Sequence, residues 1–131
     1  MSNLAPIIPF FRYADAPRAV EWLCDAFGFE RHAVYEEEGG IGHAELVLGN
    51  SMIMLSSPRE LTLGMKLAKD TGAPTMGVYI IVDDPDAHYA KAKAAGAKIT
   101  RDIQDEDYGG RGYTCMDFEG NLWSFGTYAP E

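Results

Sequence analysis

Gly39-Gly40-Ile41-Gly42-His43-Ala44-Glu45-Leu46 is answered seventy positions later by Gly109-Gly110-Arg111-Gly112-Tyr113-Thr114-Cys115-Met116. A repeat of that size is too long for a solenoid unit and long enough to be half of a domain, so the chain carries one structural unit twice. Working outward, Tyr13-Ala14-Asp15 opens a helical stretch ending at Phe27-Gly28-Phe29, and Ile81-Val82-Asp83 opens one ending at Ala95-Gly96-Ala97. From Asp15 to Asp83 the copies are sixty-eight residues apart, and two residues are inserted before the second Gly-Gly pair. Downstream, Asn50-Ser51-Met52-Ile53-Met54 lies against Gly120-Asn121-Leu122-Trp123-Ser124. Each copy reads strand, helix, strand, strand, strand.

Unit one spans 5–56. Pro6 to Tyr13 is apolar and aromatic, fitting a strand buried on both faces with Pro9 at an edge or strand end. Asp15 is the N-cap, Pro17 sits in the first turn, Val20, Leu23 and Phe27 form the buried stripe and Gly28 ends the helix. Strands follow at Arg31 to Glu37, Gly42 to Leu48 and Ser51 to Ser56, with Gly49-Asn50 as a tight turn. Unit two, 75–128, repeats this with a strand from Thr75 to Val82, a cap at Asp84-Pro85, a stop at Gly96, and strands at Lys98 to Ile103, Gly112 to Phe118 and Asn121 to Tyr128. Residues 57–74 are the expected linker and the most mobile segment, with a short helix around Met65 to Lys69. The expected fold is α+β: a single domain over 1–131 in which two tandem βαβββ units form curved mixed sheets around a cup, with the helices packed outside.

Charge and composition remove several classes. The net charge is −9, from 11 basic and 20 acidic residues, and no basic run is present, which argues against nucleic acid. Such acidity either keeps the protein soluble or, focused on a cleft, concentrates cationic ligands. No apolar run approaches the ~20 residues of a membrane span, and the N-terminus lacks signal-peptide character, so no membrane partner and a cytoplasmic location are expected. Cys24 and Cys115 stand in neither a CxxC nor a zinc spacing and read as reduced thiols.

The closing segment Asp117-Phe118-Glu119-Gly120-Asn121-Leu122-Trp123-Ser124-Phe125, set after a duplicated βαβββ unit, resembles the vicinal oxygen chelate superfamily of glyoxalase I, bleomycin resistance proteins and extradiol dioxygenases. The resemblance covers the whole chain. It follows the family's D-P-x-G-N-x-x-x-F ending, with Phe118 where Pro is usual. In metal-dependent members the resemblance implies four ligands from the first and fourth strands of each unit, at or near Ile8, Met54, Gly77 and Ser124 in this chain. Neither Ala5 to Phe11 nor Thr75 to Val82 contains a His, Asp, Glu, Gln or Cys, so no metal site and no cofactor are expected. The resemblance also implies a homodimer whose clefts are shared between two chains.

Strand parity assigns the faces. With Ser124 toward the cup, Leu122 follows it and Trp123 and Phe125 turn to the helix layer; likewise Met52 and Met54 face the cup, and Ile53 and Leu55 the helix. His43 and Glu45 oppose Ala44 and Leu46, which puts the polar pair and its repeat-mates Tyr113 and Cys115 on the cup side, with Ile8, Phe10, Gly77, Tyr79 and Ile81 from the first strands. This apolar, aromatic and thioether-rich lining is typical of a small-molecule site. His43 and Glu45, about 7 Å apart at their α-carbons, are the acid/base candidates. Glu45 can be a general base, a counter-ion for a cationic ligand, or part of a solvated strand face. The loop from Asp105 to Tyr113 can bring Tyr108 and Arg111 to the cup mouth, or Arg111 can clamp neighbouring acids. His32 and His88 read as exposed. Three functions are open: a metal-free protein sequestering a hydrophobic or aromatic, possibly cationic, small molecule; a glyoxalase- or dioxygenase-type enzyme with a relocated metal or none, in which His43 and Glu45 transfer the proton; or an interaction module without a small ligand.

Overall fold

Pro9 decides where the first strand begins. In the computed structural model, which describes residues 3–58 and 64–130, β1 is Phe10–Arg12. The expected strand from Pro6 to Tyr13 is therefore shorter, because Pro6 and Pro9 have no amide proton to give to a ladder. The preceding chain still runs beside the sheet: the Pro9 carbonyl accepts from the Met54 amide at 3.0 Å, and the Ala5 amide donates to Asn50 at 2.8 Å. Burial on both faces is also corrected, since Ile7 is 83% and Phe10 46% exposed.

Two units divide the chain, Met1–Leu67 and Ala68–Glu131. In the first, α1 (Ala16–Phe27) starts where the Asp15 carboxylate accepts from the Arg18 amide at 3.2 Å, and stops at Gly28 with φ +87. Its apolar face, with Val20, Trp22, Leu23 and Phe27, is buried on β2 (Glu30–Glu37) and β3 (Gly40–Leu48). β4 (Ser51–Ser56) completes a mixed sheet of order β1-β4-β3-β2, in which β1 and β4 are parallel. The expected helix from Met65 to Lys69 is found later, as α2 (Ala68–Thr71). Gly64 at φ +81 is itself outside helical geometry, and the Thr71 hydroxyl closes the turn on the carbonyls of Ala68 and Ala73. Residues 59–63 of the expected linker lie outside the described residues.

The second unit repeats the order. β5 (Gly77–Ile81) leads to α3 (Pro85–Ala94), capped by Asp84 through the Ala87 amide at 3.1 Å. β6 (Lys98–Asp105), β7 (Arg111–Met116) and β8 (Leu122–Gly126) follow, giving the order β5-β8-β7-β6. The duplicated βαβββ topology expected from the repeat is thus present, one open mixed sheet per unit. No helix among the described residues is long and apolar enough to cross a membrane.

The two sheets are not in register with the simple sequence repeat. β3 carries an extra residue at Gly42, which is skipped where Tyr35 pairs with His43 and Glu36 with Ile41. The turn of unit two carries its extra residue later: four residues separate the paired Val47 and Met52, five separate Met116 and Leu122. Glu45 pairs with Met54 and Thr114 with Ser124, so the structural counterpart of Glu45 is Thr114 and not Cys115. A slip of one residue turns every side chain of a strand to the other face.

Candidate functional site

That slip corrects two of the expected lining residues. Tyr113 and Cys115 lie under α3, 1% and 0% exposed, in the layer of Trp123 and Phe125 with which they pair. The Tyr113 ring stacks on Phe125 at 5.4 Å, and its hydroxyl lies 2.6 Å from Nδ1 of His88 on α3. His88, expected on the surface, is half-buried with its ring 4.1 Å from Phe125. Burial pushes the Tyr113 phenol up and the Cys115 thiol up to about 12, so both stay neutral as core groups do. In their place Thr114 and Met116 share the face of Ser124 and Leu122, and the Thr114 and Ser124 hydroxyls are 2.9 Å apart.

On the helix-free face of unit one the parity reading places its residues as expected. Phe10 pairs with Met54, and Met54 with Glu45. Met52 shares this face but is buried, beside Val47; Ile8 precedes β1 and is half-buried. His43 Nε2 is 2.9 Å from Glu45 Oε2. His32 joins them, because an irregularity between Arg31 and Ala33 turns it toward the same carboxylate, with Nε2 3.7 Å from Oε1. The Tyr35 ring stacks on His43 at 6.1 Å and an interplanar angle of 24°.

A cleft of about 370 Å³ opens here, lined by Phe10, Arg12, His43, Met54 and Ser56. Arg12 is the residue that sequence reasoning passed over, although the parity of Ile8 and Phe10 leads straight to it. Its guanidinium carbon is 5.8 Å from the centre of the Phe10 ring, and Nη1 donates to the Phe11 carbonyl at 3.4 Å. Its buried Nε has no hydrogen-bond partner.

Among the described residues, the matching part of unit two holds tyrosines that bond to their neighbours. Tyr79 stands beside Ser124 as Phe10 stands beside Met54, and its hydroxyl reaches the Tyr128 carbonyl at 2.7 Å. The space left among Tyr79, Glu106, Tyr108, Ser124 and Tyr128 is about 10 Å³, room for about one water. Tyr108 packs edge-on against Tyr128 at 4.9 Å and donates a hydroxyl hydrogen bond to Glu106, which holds that carboxyl below its usual range. Of the two readings of Arg111 the structure carries the clamp: Nε and Nη2 reach Asp86 at 3.1 Å and Nη1 reaches Asp105 at 3.4 Å.

The positions that the resemblance assigns to metal ligands offer a poor donor set. Of the four, Ile8 and Gly77 carry no donor, and the residues that pair with Met54 and Ser124 across the sheet are Phe10 and Tyr79. Among the described residues no group of three or more His, Cys, Asp and Glu is arranged to hold a metal ion. A thioether, a phenol and one hydroxyl do not fit a divalent cation, which takes imidazole, carboxylate or thiolate donors.

Tandem βαβββ sheets, each with a helix-covered face and an open face, define the class of vicinal oxygen chelate folds. The chain belongs to the Glyoxalase/Bleomycin resistance protein/Dioxygenase superfamily, whose sequence model matches residues 8–125. It is similar to TioX from Micromonospora sp. ML1, with 30% identity, a TM-score of 0.74 and coverage of 97% of this chain and 98% of that one. The uncharacterized protein Mb0911c of Mycobacterium bovis is 28% identical over 128 residues, 95% of this chain and 84% of that protein. A superfamily member from Sphaerobacter thermophilus shares the fold alone, at 17% identity and a TM-score of 0.72, covering 94% of this chain and 97% of that one.

Proposed function

We propose that this is a cytoplasmic, metal-free small-molecule-binding protein that sequesters a hydrophobic or aromatic ligand and works as a homodimer. The observation that carries the reading is the cleft of about 370 Å³ beside Phe10 and Met54, a volume within the range of small-molecule pockets, at the place where metal-dependent relatives would need donors. The half-exposed Phe10 and Met54 offer a soft surface that adapts to flat ligands. The homodimer rests on the family resemblance. Elemental analysis of protein purified without chelator, followed by calorimetry against a panel of aromatic compounds, tests the reading. Metal below a tenth of an equivalent with saturable binding supports it; stoichiometric nickel, zinc, manganese or iron overturns it. Sedimentation as a monomer at micromolar concentration removes the dimer.

One observation favours a second reading. The hydrogen bond between His43 and Glu45 at 2.9 Å is the arrangement of an oriented imidazole base. A glyoxalase- or dioxygenase-type enzyme would use that pair for proton transfer. Turnover of an oxo-substrate that disappears in His43→Ala would establish it.

A further inference from the structure

We propose that the ligand of this cleft carries an anionic group, a carboxylate on an aromatic body, and that Arg12 is the residue that selects it. The inference rests on the small-molecule-binding reading above and names the ligand class. It starts from which polar groups of the open face already have partners. Glu45 already has two imidazoles around it, His43 at 2.9 Å and His32 at 3.7 Å. Arg12 has nothing comparable: among the described residues no carboxylate pairs with it, and its guanidinium makes one long bond, to the carbonyl of its own neighbour Phe11. The Nε proton is out of contact with solvent and unpaired. A buried donor left without an acceptor is rare in folded proteins; among the described residues Arg12 lacks an internal acceptor to balance its charge, and the cleft it lines is where one can come from.

The surroundings say which partner. A guanidinium offers a planar fork that a carboxylate matches with two parallel bonds. Phe10 lies under the fork at 5.8 Å, and His43, Met54 and Ser56 complete the cleft wall. A ring lying against Phe10 and Met54 would bring a carboxylate in its plane to the guanidinium edge. The whole chain carries −9, yet the charged side chain that lines this cleft without a carboxylate partner is a guanidinium. Local pairing, and not net charge, sets the sign of the ligand.

Calorimetry with three isosteric probes, naphthoate, naphthamide and naphthylmethylammonium, tests this on the full chain. Naphthoate is expected to bind roughly tenfold or more tighter than naphthamide, the size of a charge-assisted hydrogen bond. Arg12→Met should bring the two to equal affinity while keeping the naphthamide site, and Arg12→Lys should keep a reduced preference. If Arg12→Met fails to fold, the preference of the unaltered protein and of Arg12→Lys decides. Equal binding of acid and amide, or a preference for the ammonium, overturns the inference and leaves the binding function standing. Silence toward all three probes and toward the wider aromatic panel overturns both.

Discussion

The indole Nε1 of Trp123 donates to Oδ2 of Asp117 at 3.0 Å, and both side chains are buried. The other oxygen of Asp117 accepts from the amides of Glu119 and Asn121 at 2.9 and 3.0 Å, so one carboxylate ties the β7–β8 turn to the core. Asp117→Ala strands the indole proton and two amides together and is expected to cost about 3 kcal/mol or more, while Asp117→Asn, which keeps one acceptor, costs about half as much. Urea unfolding of the two variants checks the order.

Gly112 fails to tolerate a methyl group for a steric reason. A Cβ there would overlap the backbone carbonyl oxygen of Phe125 on the paired strand β8, which cannot retreat without opening the ladder. Gly112→Ala is expected to cost about 3 kcal/mol. Gly77→Ala is the control, since its Cβ meets only the flexible end of Leu122 at 3.2 Å, and a cost within about 1 kcal/mol is expected from thermal unfolding.

Cys115 gives the protein an alkaline weakness. Burial raises its thiol from the ordinary 9.0 to about 12, so the unfolded chain loses this proton at a lower pH than the folded one. The stability contributed by the neutral buried thiol is therefore whole below pH 9 and is lost as the pH climbs toward 12. Cys115→Ala should lose stability at pH 7 through its small cavity, yet show a shallower fall between pH 9 and 11. Denaturant midpoints of both proteins across that range measure the slope.

Much of the fold was legible because the repeat, the Asp-Pro helix starts and the Gly stops are local signals, read from neighbours in sequence. The faces of β3 and β4 were legible too, since alternation from Met54 and Glu45 needs no distant information. The faces of β7 were not. A bulge residue at Gly42 and a longer turn at 117–121 cancel in the overall count, so the repeat offset looks constant while the strand between them is shifted by one. The one readable signal was the chemistry of the strand: Tyr113 and Cys115 alternate with Thr114 and Met116, and a tyrosine joins a core when its hydroxyl has a partner. That partner, His88, sits on another element, which a reading of β7 alone could not supply. Arg12 was hidden differently: it lies within the strand expected over Pro6 to Tyr13, but that its guanidinium Nε lacks an acceptor depends on contacts that no local pattern encodes.

The face assignment and the site can be tested together with Phe10→Ala and Tyr113→Phe. Phe10 is 46% exposed, so its truncation removes little buried surface and should cost less than about 1.5 kcal/mol of stability. Its ring is nevertheless a wall of the cleft, and loss of stacking should weaken an aromatic ligand by about 1 kcal/mol, several-fold in affinity. Tyr113→Phe reverses the pattern. The hydroxyl bonded to His88 at 2.6 Å disappears from the helix layer, and loss of that bond should cost about 1 kcal/mol of stability. Ligand affinity should not move, because Tyr113 is buried in the helix layer of unit two and does not line the cleft. Melting curves and calorimetry on the same two proteins read both effects; a Tyr113→Phe protein of unchanged stability and weakened binding would return Tyr113 to the site.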